Sequence, residues 1–178
     1  MIDWRPLMKN LAFLLAFLIA APATVLGADP QKPGTNPGID MDGYLRVSQE
    51  AARHRATRRI TEDDFIRMSQ ERGTIVLDAR SHEKYNELHI KDAINLNFSD
   101  ITVESLKKTI PDKSTRILIY CNNNFRNAES PFPTKMPTAS LNLSTYIALY
   151  NYGYRNIYEL GPVLDPKQCK LSFEAASR

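Results

Sequence analysis

The residues best suited to chemistry lie in YCNNNFR, residues 120–126. Cys121 is one of two cysteines in the chain. It follows RILI, an apolar run of strand length, so it stands where a buried strand gives way to a loop. Arg126 comes five positions later. A loop of this length can wrap round so that successive backbone N–H groups face inward as an anion-binding nest. The amides of Asn122, Asn123, Asn124, Phe125 and Arg126, with the Arg126 guanidinium, would then stabilise a thiolate on Cys121. The same groups would hold an oxyanion against the sulfur. The competing reading is an inert, buried cysteine at a strand end. The loop has no glycine. Any left-handed position must therefore fall on an asparagine, which tolerates that conformation better than other non-glycine residues.

Beyond Arg126 the chain makes a detour. Pro131, Pro133 and Pro137 forbid a regular helix there, and the next helical pattern begins near Ser140 or Leu141. One reading makes residues 127–137 a lid, with Phe132 as a wall and Lys135 as a second anion contact. In the other, the detour breaks the anion cradle and leaves Arg126 pointing away.

The elements that must position this loop can be read on either side of it. ITEDDFIRMSQERG predicts a short helix: Thr61 is a good N-cap, acidic residues fill the first turn, Ile60 and Phe65 form a hydrophobic staple, and Gly73 suits the stop. TIVLD and RILIY read as strands buried on both faces, and INLNF as a more exposed one. VESLKKTI is a helix closed by Pro111, LNLSTYIALYNYG a helix ended by Gly153, and NIYEL a last strand. Strands alternating with helices imply an α/β domain with a central, mostly parallel sheet flanked by helices. In such a sheet, ligands bind beyond the carboxyl ends of the strands, which is where Cys121 stands.

The amino terminus reads as a secretory signal peptide over 1–28. Arg5 and Lys9 precede LAFLLAFLIAA, and small residues follow. The apolar run is interrupted by Pro22, too early for a membrane anchor. Residues 29–59 then form a proline- and glycine-rich linker and a basic helical extension, either an arm packed across the domain or a mobile segment. Its RHRATRR run reads as a solvated helix face. The domain proper is expected over 60–178. Loss of the leader would remove one positive charge net from a total of +3, so the mature chain is close to neutral and gives no reason to expect nucleic acid. Roughly 150 residues would remain, enough for one domain with a real core. Two cysteines in an exported chain can form one disulfide, but Cys121 has a functional setting and Cys169 reads as a bystander. His54 and His82 have no partner at metal-ligand spacing, and neither a metal nor another cofactor is expected.

The two motif regions together resemble the rhodanese-like domains. In LDARSHEKYNELHIKDAINLNF, Asp78, Arg80, His89, Ile90 and Ala93 fall on marked positions of the family's first signature. RILIYCNNNFR is similar to the second, a strand running into a cysteine loop closed by arginine. GYRNIYEL resembles the strand after the family's last helix. The resemblance covers roughly residues 60–162 and implies a three-layer rhodanese-like fold. It also implies a sulfurtransferase, in which Cys121 takes sulfane sulfur from thiosulfate or a persulfide and passes it to a thiol acceptor. Cys121 would be the nucleophile, the amides from Asn122 to Arg126 the cradle, and Arg126 the partner of the donor's oxygens. Asp78 and Arg80 are expected to brace the loop as a structural clamp, and His89 to fix a turn. Related phosphatases use a loop one residue longer, usually with a histidine before the cysteine. Tyr120 and the short loop argue against that activity. The leader places the protein in the periplasm or outside the cell, with an envelope protein as a conceivable partner and no membrane span in the mature form. Two other functions stay open: an inactive binding or regulatory module, and a thiol redox protein.

Overall fold

The computed structural model describes residues 36–176; the signal peptide and most of the linker expected from the sequence lie outside them. The compact unit begins at Ile39. In chain order it contains α1 (Met41–Arg55), β1 (Arg59–Ile60), α2 (Glu62–Ser69), β2 (Thr74–Asp78), α3 (His82–Glu87), β3 (His89–Ile90), β4 (Ile94–Asn95), α4 (Val103–Thr109), β5 (Arg116–Tyr120), α5 (Leu141–Asn151), β6 (Ile157–Leu160) and β7 (Phe173–Glu174).

Five strands form one sheet in the order β1-β6-β5-β2-β4, with every ladder parallel. The continuous apolar runs of β2 and β5 occupy its middle, as strands buried on both faces should. β4 takes an edge, and its Ile94 is 39% exposed. Asn95 makes that edge useful: its side-chain amide donates to the Asp78 and Arg80 carbonyls, each at 3.0 Å. A small antiparallel pair, β3 with β7, lies apart from the main sheet. The β7 strand has no signal in the sequence beyond a single aromatic.

The pleat sorts the core into two halves. Leu118 and Tyr120 of β5 pack with Phe65 and Met68 of α2, with Ile90 and with Phe132. Ile117 and Ile119 face the other way, onto Leu106 and Ile110 near α4, Tyr146 and Leu149 of α5, and Ala51 of α1. This makes three layers, helices on both faces of a parallel sheet.

Local chemistry explains the boundaries. Thr61 caps α2 by accepting the Asp64 N–H at 3.1 Å. The helix stops at Ser69, earlier than Gly73 suggests, where the Gln70 and Glu71 N–H groups bond three residues back, to the Arg67 and Met68 carbonyls; Gly73, at φ 80°, then supplies the turn into β2. Gly153, at φ 91°, ends α5 while Tyr154 N–H reaches the Leu149 carbonyl at 3.0 Å. The basic segment is built into the domain rather than solvated throughout. Ala51 is buried, Arg55 forms a two-pronged ion pair with Glu159 of β6, and the His54 ring lies 2.7 Å from the Tyr146 hydroxyl. The thin apolar face of α1 is thus supplemented by polar anchors.

Candidate active site

Cys121 continues β5 in extended geometry, φ −149° and ψ −174°. Alternation along the strand therefore carries its side chain to the face of Ile117 and Ile119, under α5. There its Sγ lies 3.4 Å from the Ser140 hydroxyl. Ser140 is the N-cap residue of α5, yet its side chain caps no helix amide, so the hydroxyl is free to meet the sulfur. The proline-rich detour does not cost the cysteine its helix: the chain leaves at Arg126 and returns to present the positive end of α5 to the thiol.

Asn124 ties the site together. Its Oδ1 accepts the Cys121 N–H at 2.9 Å and the Asn142 amide at 3.0 Å, while its Nδ2 donates to the Leu160 and Pro162 carbonyls at 2.8 and 3.2 Å. These backbone partners dictate how Asn124 is oriented, and Asn124 in turn dictates Asn142. The Asn142 oxygen is left bare. Together with Asn122 Oδ1 and Thr145 Oγ1 it is buried with no hydrogen-bond partner among the described residues. Asn122 adjoins the cysteine, and Thr145 follows Asn142 by one turn on the same face of α5. Buried oxygens of this kind can accept hydrogen bonds from a ligand or from water.

The expected ring of inward amides does not form. Asn122–Asn124 fold as a 3₁₀ turn. The N–H groups of Asn124 and Phe125 donate to the Cys121 and Asn122 carbonyls, each at 3.1 Å, and that of Arg126 to the Leu164 carbonyl at 2.9 Å. The physical cause is Phe125. It is 3% exposed and packs 4.3 Å from the Phe132 ring and 5.4 Å from the Phe173 ring, which pulls the loop onto the apolar half-core. Arg126 follows it outward and is exposed. Its charge bears on Asp165, whose carboxyl is held below its ordinary value by the Asn127 amide, the Lys167 backbone and, more weakly, Arg126. An asparagine does take the left-handed position, but it is Asn127, at φ 57°, beyond the loop.

The lid residues are also placed differently from expectation. Phe132 is core, 1% exposed on the side of the sheet opposite Cys121, so it walls no site over the sulfur. Lys135 is exposed. Its backbone is clasped by the Asn123 side chain, which accepts its N–H at 3.0 Å and donates to its carbonyl at 2.8 Å. Asn123 therefore holds the detour in place.

Asp78 and Arg80 form a buried pair whose side chains are 0% and 1% exposed. The Arg80 guanidinium also donates to the Leu88 and Pro131 carbonyls, both at 2.7 Å, and lies 4.3 Å from the Phe132 ring centre. Tyr120 donates its hydroxyl to Asp78 and accepts the Ile90 N–H at 3.1 Å. Burial first, then the Asp78 charge, raises the Tyr120 hydroxyl well above its ordinary value. The His89 ring contacts the Tyr85 carbonyl through Nδ1 at 2.7 Å and stacks on Tyr85. These groups anchor the detour and the turn before β4; none touches the sulfur. The residues that sequence reasoning missed are Ser140, Asn142, Thr145 and the Arg55–Glu159 pair. Glu159 did leave a signal, as a carboxylate inside an otherwise apolar strand. Both cysteines are free thiols, and burial raises the Cys169 thiol.

The family model for the rhodanese-like domain matches residues 61–160, more than half of the chain. No curated protein matches it. Among solved structures, the rhodanese-like domain of the Alr3790 protein from Anabaena is 19% identical with a TM-score of 0.47, covering 66% of this chain and 79% of that one. A rhodanese from E. coli, solved with anions, is 20% identical with a TM-score of 0.40, covering 58% of this chain and 99% of its own. Thiosulfate sulfurtransferase from Pseudomonas aeruginosa is 20% identical with a TM-score of 0.45, over 67% of this chain but only 20% of that larger protein. The matched span runs from the cap of α2 to the end of β6 and encloses the cysteine at the carboxyl end of the central strand; on that match, the chain belongs to the rhodanese-like domain family.

Proposed function

We propose that this domain is an exported sulfurtransferase that carries sulfane sulfur as a persulfide on Cys121. The observation that carries this reading is the Cys121 sulfur lying 3.4 Å from the Ser140 hydroxyl at the start of α5. A hydroxyl and a helix N-terminus both favour negative charge on that sulfur. In the loading step the thiolate attacks the outer sulfur of thiosulfate. A new S–S bond forms to Cys121, the old one breaks, and sulfite leaves with its electron pair. In unloading, an acceptor thiolate attacks the same sulfane sulfur, and Cys121 departs as thiolate. With the amides of Asn124, Phe125 and Arg126 engaged in the fold, sulfur activation rests on α5 and Ser140 rather than on a closed amide ring. Residues 1–28 direct the chain to the periplasm or beyond, where an envelope protein is a candidate acceptor. No helix among the described residues is long and apolar enough to cross a membrane.

A second reading, a binding module without turnover, is favoured by the outward Arg126 and by Cys121 being 1% exposed. One experiment separates them. After incubation with thiosulfate or a small persulfide, peptide mass mapping should find one added sulfur on Cys121 and none in Cys121→Ser. If the wild-type peptide stays unmodified with every donor while a partner is still captured by Cys121→Ser, the module reading holds instead.

A further inference from the structure

We infer that Arg55 of α1, not Arg126 of the cysteine loop, is the cation that stabilises the Cys121 thiolate, and that α1 is therefore part of the reactive site. The sheet register leads to this. Ile119 of β5 stands opposite Glu159 of β6, and Cys121 is two residues beyond Ile119. Residues two apart share a face, so Cys121, Ile119 and Glu159 all project under α1 and α5. Two residues along a strand and one strand across separate the α-carbons of Cys121 and Glu159 by about 8 Å. The Glu159 side chain is 6% exposed and is gripped on both oxygens by the Arg55 guanidinium, itself 24% exposed. This holds a largely desolvated cation on the same face of the sheet as the sulfur, one strand away, where charge acts through a low dielectric. Arg126, in contrast, is exposed and directed at the Asp165 side.

Other charged and titratable groups bear on the same place. Arg59 approaches Glu159 at 4.0 Å, and His54 and Tyr146 sit beside the pair. Tyr146 is held at about 12, mainly by burial, so it is neutral. The Arg55 charge is reinforced first by its bond to Glu159 and also by Tyr146 and the Cys121 sulfur. Glu159 thus has a double role: it fixes the guanidinium and offsets part of its field.

This deepens the reading of Cys121 as a reactive thiol, but its test does not depend on sulfur transfer. The rate at which neutral iodoacetamide alkylates Cys121 in the full chain, followed by peptide mass mapping at fixed neutral pH, reports thiolate content whether or not a sulfane sulfur is ever taken up. Arg55→Gln should slow alkylation by up to about tenfold, the lower end of the effect of removing a nearby opposite charge. Arg55→Lys should restore most of the rate. Glu159→Gln should speed it, because the cation loses its counter-charge. Arg126→Gln should change it by less than about twofold, since an exposed charge is screened. Loosening of α1 would expose the sulfur and speed alkylation, so a slower Arg55→Gln cannot arise from poor packing. Loosening of α1 by Glu159→Gln would also speed the reaction, so only a lowered pH midpoint of its rate counts as support; if Arg55→Gln fails to fold, that midpoint in Glu159→Gln, read beside Arg55→Lys, decides. The inference is overturned if Arg126→Gln slows the reaction more than Arg55→Gln, or if Glu159→Gln leaves the rate unchanged or lowers it.

Discussion

Replacing Arg80 by methionine keeps the apolar stem of the side chain while removing the cation that Asp78 and the Leu88 and Pro131 carbonyls all bind. The Asp78 carboxylate is then buried with only Tyr120 and the Arg80 N–H as donors. Breaking a buried pair from one side costs about 3–5 kcal/mol. Two carbonyls that lose their donor add about 1 kcal/mol each at the low end, because the detour can relax toward water. The expected loss is about 5–7 kcal/mol, a large part of the stability of a small domain. Urea denaturation followed by circular dichroism would measure it, and limited proteolysis should find new cleavage in residues 127–137, whose Pro131 anchor is gone. The double variant Asp78→Asn with Arg80→Met removes the stranded charge and should recover about 2 kcal/mol. A single variant within about 1 kcal/mol of wild type, or a double variant no better than the single, would refute the view of this pair as the clamp of the detour.

Two further outcomes follow from the same geometry. Asn124→Ala removes the group that joins the Cys121 N–H, Asn142 and the Leu160 and Pro162 carbonyls, and should cost about 3 kcal/mol and lower Cys121 alkylation by misplacing Ser140 against the sulfur; unchanged values of both would contradict the assigned role. His54 is held below 6.5 by burial, then by Arg58 and Arg155, so the unfolded chain binds the proton more readily. Its contribution to α1 docking is therefore complete above 6.5 and is lost as pH falls through the lower folded value. The protection of α1 amides against hydrogen exchange, taken relative to the intrinsic rate at each pH, should fall over that interval in wild type and much less in His54→Gln.

Much of the architecture was legible because its signals are local. The apolar runs TIVLD and RILIY could only be buried strands, Thr61 carried its cap chemistry in plain view, and Gly153 marked a left-handed stop. The position of Cys121 at a strand's carboxyl end followed from the alternation of elements. What was not legible depended on contacts distant in sequence. Phe125 looks like a loop residue until Phe132 and Phe173 are brought against it, and its burial is what turns the loop amides and Arg126 away from the sulfur. The detour hid Ser140 and Asn142, since nothing local says that the start of α5 returns to the cysteine. The basic segment around Arg55 read as a solvated face because its acidic partner lies about a hundred residues on. The lone glutamate of NIYEL was the available hint, since a carboxylate in a buried strand requires a cation.

The central claim is that Cys121 carries transferable sulfane sulfur, and cyanolysis tests it most directly. Protein loaded with a sulfane donor and freed of excess is treated with cyanide, which removes sulfane sulfur as thiocyanate. The account predicts close to one thiocyanate per chain from wild type and none from Cys121→Ser. No thiocyanate from wild type with any donor, or equal amounts from the two proteins, would contradict it.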